Sequence, residues 1–111
     1  MRLKATETEI KRTVKEYLIL KGWFHFPLLQ GIGSYKGLPD IIACKDGKVL
    51  FIEVKTEKGK QTAWQRVFQE RIEKAGCRYV LVRGIEDLQK EFDKKREETN
   101  FEFDFFGKGM T

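Results

Sequence analysis

The chain reads as an α/β protein with the element order α-β-β-β-α-β-α. Three observations predict this class. Apolar residues recur at helical spacing in three stretches, short β-branched or aromatic runs stand between them, and a KDGK tetrapeptide joins two of those runs as a hairpin. A length of 111 residues, 41% hydrophobic with nine Phe and two Trp, supplies enough apolar material for one core and too little chain for two. A single domain over 1–111 is expected, with its core over 6–98 and a Phe-rich tail over 99–111.

The elements follow in order. Thr6 opens an amphipathic helix over about 6–21, in which Ile10, Val14, Tyr17 and Leu18 share one face and Gly22 is the natural stop. WFHFPLL, residues 23–29, is aromatic and extended, and Pro27 marks it as an edge strand because proline cannot donate to a ladder. QGIGSYKG is a glycine-rich loop. DIIAC and VLFIEVK flank KDGK as a hairpin. A second helix covers about 62–75, with Trp64, Val67, Phe68, Ile72 and Ala75 on its inward stripe and Gly76 as its end. RYVLV is a short buried strand, and IEDLQKEFDKKREE is a third helix with Ile85, Leu88 and Phe92 facing inward.

Composition narrows the class of function. No run approaches the roughly 20 apolar residues that span a bilayer, and the N-terminus lacks the apolar middle of a signal peptide, so an intracellular, cytoplasmic protein with no membrane partner is expected. Cys44 and Cys77 lie in apolar contexts without a CxxC pair, and His25 is the sole histidine, so the cysteines read as reduced core residues rather than zinc ligands. Net charge is +5. Residues 1–60 carry 12 Lys and Arg against 7 Asp and Glu, while residues 61–111 carry 10 of each, so the whole surplus sits in the first half. A localised positive field is what a polyanion such as nucleic acid requires.

The hairpin raises the chemical question. If Asp46 and Gly47 form a two-residue type I′ turn, Lys45 pairs with Lys48 and Asp40 comes to face Glu53. Opposed residues have Cβ atoms roughly 4.5–5.5 Å apart, where like charges destabilise. Lys55, two residues beyond Glu53 on the same side, becomes the diagonal neighbour of Asp40. Protonation, the lysine or a divalent cation can relieve the repulsion. Carboxylates with a backbone carbonyl are hard oxygen donors suited to Mg²⁺ or Mn²⁺, the equipment of metal-assisted phosphodiester hydrolysis. The rival reading is an edge hairpin with solvated charges, and a three-residue loop with a bulge would instead pair Asp40 with Ile52.

Gly37-Leu38-Pro39-Asp40, twelve intervening residues and Glu53-Val54-Lys55 resemble the PD-(D/E)xK nuclease superfamily. The stretch from about Glu9 to Val82 resembles a stand-alone VRR-NUC domain of the kind found in phage proteins. It rests on an acid in the first helix (Glu9), GxPD before a strand, FIEVK, and a glutamine early in the next helix (Gln65). The resemblance implies a restriction-endonuclease-like core, a mixed sheet flanked by helices. It also implies a Mg²⁺- or Mn²⁺-dependent endonuclease acting on branched DNA such as Holliday junctions, working as a homodimer. Asp40, Glu53 and the Val54 carbonyl would be metal ligands, Lys55 the catalytic lysine, Glu9 a ligand to a metal-site water or second ion, and Gln65 an orienting residue.

Each role has a structural rival. Thr6-x-x-Glu9 and Thr62-x-x-Gln65 both fit a capping box, which accounts for Glu9 and Gln65 without chemistry. Ser34, Lys36, Lys58 and Lys60 flank the proposed patch and would hold DNA phosphates, or would simply be solvated loop residues. Trp23, Phe24, His25 and Phe26 read as packing. In the tail, Phe101, Phe103 and Phe105 alternate with Glu102 and Asp104 as a strand with one apolar face, which either folds back on its own core or pairs with a second subunit at a dimer interface. Two other functions compete with the junction endonuclease: a non-catalytic DNA-binding or docking module, and a nuclease for other DNA substrates.

Overall fold

The structure, a computed structural model, describes residues 4–94. The tail over 99–111 lies outside the described residues. Helix α1 (Glu7–Leu20) starts at Thr6, whose hydroxyl accepts the Glu9 N–H while the Glu9 carboxylate accepts the Thr6 N–H. It ends where Gly22 turns to φ 81° and the Trp23 N–H reaches back to the Leu18 carbonyl at 2.8 Å, a Schellman closure that any side chain at Gly22 would strain. Strand β1 (Phe24–Pro27), β2 (Ile41–Lys45) and β3 (Lys48–Val54) then form an antiparallel meander. Helix α2 (Ala63–Lys74) crosses over to β4 (Arg78–Val82), which lies parallel to β3. A third helix, α3, covers residues 85–94 and runs to the edge of the described residues.

The sheet order is β1-β2-β3-β4, so the Pro27 strand is an edge, as its sequence predicts. Asp46 at φ 50° and Gly47 at φ 78° make the type I′ turn, and the register follows from it: Lys45 opposes Lys48 and Ile41 opposes Ile52. Alternate residues Ile41, Ala43, Leu50, Ile52, Val54, Val80 and Val82 form one apolar face. Ile10, Val14 and Leu18 of α1 and Leu88 of α3 cover it. Phe92 of α3 stacks on Trp23 and Tyr17, with ring centroids 5.1 and 5.7 Å away.

The other face is only half covered. Phe68 of α2 packs on Phe51 and Tyr79, whereas Phe24, Phe26 and Val49 stay exposed. The inward stripe expected of α2 is accordingly reduced to one buried residue, Phe68; Trp64 is 57% exposed and Val67 is exposed too. The reason is that α2 lies over β3 and β4, with nothing among the described residues beyond it to bury the rest of the stripe. Cys77 is likewise exposed rather than in the core, because it follows the Gly76 turn and precedes β4. No helix among the described residues is long and apolar enough to cross a membrane.

Candidate active site

The ladder of the hairpin stops one pair short of the two acids. Asp40 donates its N–H to the Ile52 carbonyl (3.0 Å), which already faces Ile41, so Asp40 leaves the regular register instead of opposing Glu53 as a strand pair. Its carboxylate turns to the same segment by another route: Oδ2 accepts the Val54 N–H at 2.6 Å. Oδ1 pairs with Lys11 of α1 at 3.2 Å, and Lys11 also reaches Glu7 at 3.3 Å. Burial alone would lower the Lys11 ammonium, but Asp40 and then Glu7 outweigh it and hold its pKa above the usual lysine value.

Glu53 is fully buried on the α2 side of β3. Its two oxygens differ. Oε1 accepts from the Tyr79 hydroxyl and, at 3.4 Å, from Gln61 Nε2. Oε2 is buried with no hydrogen-bond donor, and the Lys55 ammonium stands 3.8 Å from it. Burial, then the bond to Glu53, pushes the Tyr79 phenol well above the ordinary tyrosine range, so it is a donor at any working pH; Asp40 is near enough to add to that rise. Asp40, Glu53, the Val54 backbone and Lys55 therefore form one cluster where α1, the β2–β3 hairpin and β4 meet.

An orphaned carboxylate oxygen in a dry site is costly unless something pairs with it. Together with the Asp40 carboxylate it makes a hard oxygen set, so the residues fit Mg²⁺ or Mn²⁺. No group of three or more His, Cys, Asp or Glu side chains suited to a metal occurs among the described residues, so the acidic set at this place stops at two carboxylates.

The other predicted site residues fall around this cluster. Gln65 closes the capping box of α2 through Thr62, at 2.9 and 3.1 Å, and lines an open hollow that Asp40, Lys36, Gly37 and Trp64 also border. Lys36 lies over the Trp64 ring at 5.0 Å. Ser34 is used locally, bonding both backbone groups of Gly31. Lys58 and Lys60 are exposed on the loop after β3. Arg83 fastens that loop by donating to the carbonyls of Thr56 and Gly59 at 2.6 Å and Glu57 at 3.2 Å. Glu9 lies elsewhere. Its carboxylate is held by the Thr6 N–H and borders a separate hollow with Lys4, Glu57 and Arg83, and no contact among the described residues joins it to Asp40, Glu53 or Lys55. The α1 acid tied to the cluster is Glu7, through Lys11.

Three participants escaped sequence reasoning: Lys11, Gln61 and Tyr79. Lys11 and Gln61 carry no motif. Tyr79 was detectable only by carrying the parallel β3–β4 pairing through, which sets it diagonal to Glu53.

A family model described as archaeal Holliday junction resolvase (Hjc) matches residues 4–76. Among solved structures, a VRR_NUC domain superposes with a TM-score of 0.69 at 27% identity, covering 80% of this chain and 97% of that one. No curated protein matches the chain. The mixed four-stranded sheet with its flanking helices is the restriction-endonuclease-like nuclease fold. With two thirds of its length under the resolvase model and its fold shared with a VRR_NUC domain, the chain belongs to the Hjc family of nucleases and carries a VRR-NUC-like domain.

Proposed function

We propose that the protein is a Mg²⁺- or Mn²⁺-dependent, structure-selective DNA endonuclease that hydrolyses phosphodiester bonds at branched DNA such as Holliday junctions. The observation that carries this reading is the buried Glu53 Oε2, which accepts no hydrogen bond while the Lys55 ammonium stands 3.8 Å from it and the Asp40 carboxylate is bonded to the N–H of the next residue, Val54. Asp40, Glu53 and the Val54 carbonyl hold the cation, which when bound polarises the phosphoryl oxygen and acidifies a water. Lys55 stabilises charge developing on the phosphate. Gln65 orients the strand at the wall of the hollow, and Ser34, Lys36, Lys58 and Lys60 receive flanking phosphates, which fix position without reading bases. Glu9 stays with its helix cap. As an intracellular homodimer the protein presents two such sites to the two strands of a junction.

A cleavage panel of junctions, flaps, splayed arms and plain duplex, run with Mg²⁺, Mn²⁺ or EDTA, tests this directly. Branched DNA is cut with either metal and spared in EDTA, and Asp40→Ala or Lys55→Ala lowers the rate by about 10²–10³-fold with the fold intact. If every substrate survives Mn²⁺, the enzyme reading is wrong. Light scattering reports the mass of the dimer.

The Lys11–Asp40 pair favours one rival. An ammonium already neutralises Asp40, as it would in a non-catalytic DNA-docking module. Binding without cleavage, together with a melting temperature that Mn²⁺ leaves unmoved, would select that reading.

A further inference from the structure

Glu53 is asymmetric in a way that the chemistry proposed above does not by itself require. Its Oε1 is taken from outside the cluster by two donors on separate elements, and its Oε2 is left bare. Tyr79 comes from the neighbouring strand. Phe51 opposes Tyr79 in the parallel pairing, so Glu53, two residues further along β3, is the diagonal neighbour of Tyr79 on the same sheet face. The Tyr79 ring is buried against Phe68 at 6.3 Å, which fixes where its hydroxyl points. Gln61 comes from the loop before α2, and it is itself anchored: its Nε2 also donates to Gln69 Oε1 on α2 at 2.9 Å.

We infer that Tyr79 and Gln61 are positioning residues that make Glu53 a one-oxygen ligand and thereby set which cation the site accepts. The inference rests on the metal-dependent reading above. The last torsion of a glutamate is broad and two-fold, so an unrestrained carboxylate can turn to offer one oxygen or both. Donors on Oε1 remove that freedom and leave Oε2 as the single donor beside Lys55. A small cation that demands octahedral geometry and keeps its waters is served by single-oxygen ligands, whereas Ca²⁺, with six to eight ligands, readily takes a carboxylate by both oxygens. Tyr79 and Gln61 therefore favour Mg²⁺ and Mn²⁺ over Ca²⁺.

Tyr79→Phe removes the hydroxyl and keeps the ring, so it is the direct test. Calorimetric titration of the full chain with Mn²⁺, Mg²⁺ and Ca²⁺, beside its melting temperature and cleavage rate, gives readouts that a purely structural role would not move together. Mn²⁺ affinity is expected to fall about 10-fold, the low end of what loss of a partner behind a metal ligand costs, while Ca²⁺ binding is retained or strengthened. The preference for Mn²⁺ over Ca²⁺ then shrinks. Gln61→Met, which leaves the ring packing untouched, shifts the same ratio in the same direction by a smaller factor and carries the test should Tyr79→Phe not fold. Wild-type affinities for all three ions in both variants, with only the melting temperature lowered, would overturn the inference and leave the nuclease reading standing. A wild-type protein that takes up no Mn²⁺ at all would overturn both.

Discussion

Glu9 and Gln65 hold equivalent positions in two helices, each three residues after a capping threonine, and each bonds back to its own cap. For Glu9 that bond has a pH signature. The Thr6 backbone N–H, then the Thr6 side chain, hold its carboxyl below the ordinary value of 4.5. The folded form therefore binds the proton less tightly than the unfolded chain, so this contribution to stability is present above pH 4.5 and is lost as pH falls through the folded value. After correction for the intrinsic pH dependence of exchange, the protection of the first-turn amides of α1 should fall over that window in the wild type and stay level in Glu9→Gln, whose amide oxygen still accepts from Thr6. Because no described contact links Glu9 to the cluster, Glu9→Gln should also keep its cleavage activity. At this scale the sequence was informative about residue types and poor on partners. The hairpin brings Asp40, Glu53 and Lys55 to one end of the sheet, as the sequence suggests, but the Lys11 contact to Asp40 and the donors on Glu53 depend on how separate elements meet, which spacing does not encode.

The loop before β2 and the strand after α2 each have a weak point. Gly37 sits at φ 85°, and a Cβ there would lie 2.3 Å from the Trp64 carbonyl oxygen on α2. Gly37→Ala must therefore push the loop away from α2, and denaturant unfolding should show a loss of about 2 kcal/mol or more, from the left-handed backbone and the clash together. Arg78 of β4 binds Glu91 of α3 through two bonds of 2.6 Å, with Glu91 only 4% exposed. Arg78→Met leaves that carboxylate buried without its main partner, and a loss of about 3 kcal/mol is expected in the same measurement. Element order and the hairpin register were legible because an Asp-Gly turn dictates its own pairing and apolar periodicity dictates faces. The departure of Asp40 from the ladder was not legible, since it arises from two N–H groups competing for one Ile52 carbonyl.

For the molecule as a whole, α1 and α3 share one face of the sheet, and Leu50 lies fully buried at its centre. Leu50→Ala should cost about 3 kcal/mol and lower the melting temperature in a single transition, as expected for one cooperative unit. The opposite face explains why the reading of α2 went astray. A helical stripe signals burial only where some other element arrives to cover it, and over β1 and β2 the described residues supply none, so Trp64, Val67, Phe24 and Phe26 remain open. Finally, the two ends of the hairpin have separate duties. Asp40 lies at its base and the Asp46–Gly47 turn at its tip, beyond the five residues of β2, or roughly 20 Å away at 3.4 Å per residue. A dye or affinity handle spliced in at that tip would ride far from the carboxylates, which makes it the natural place from which to watch the enzyme on DNA by fluorescence.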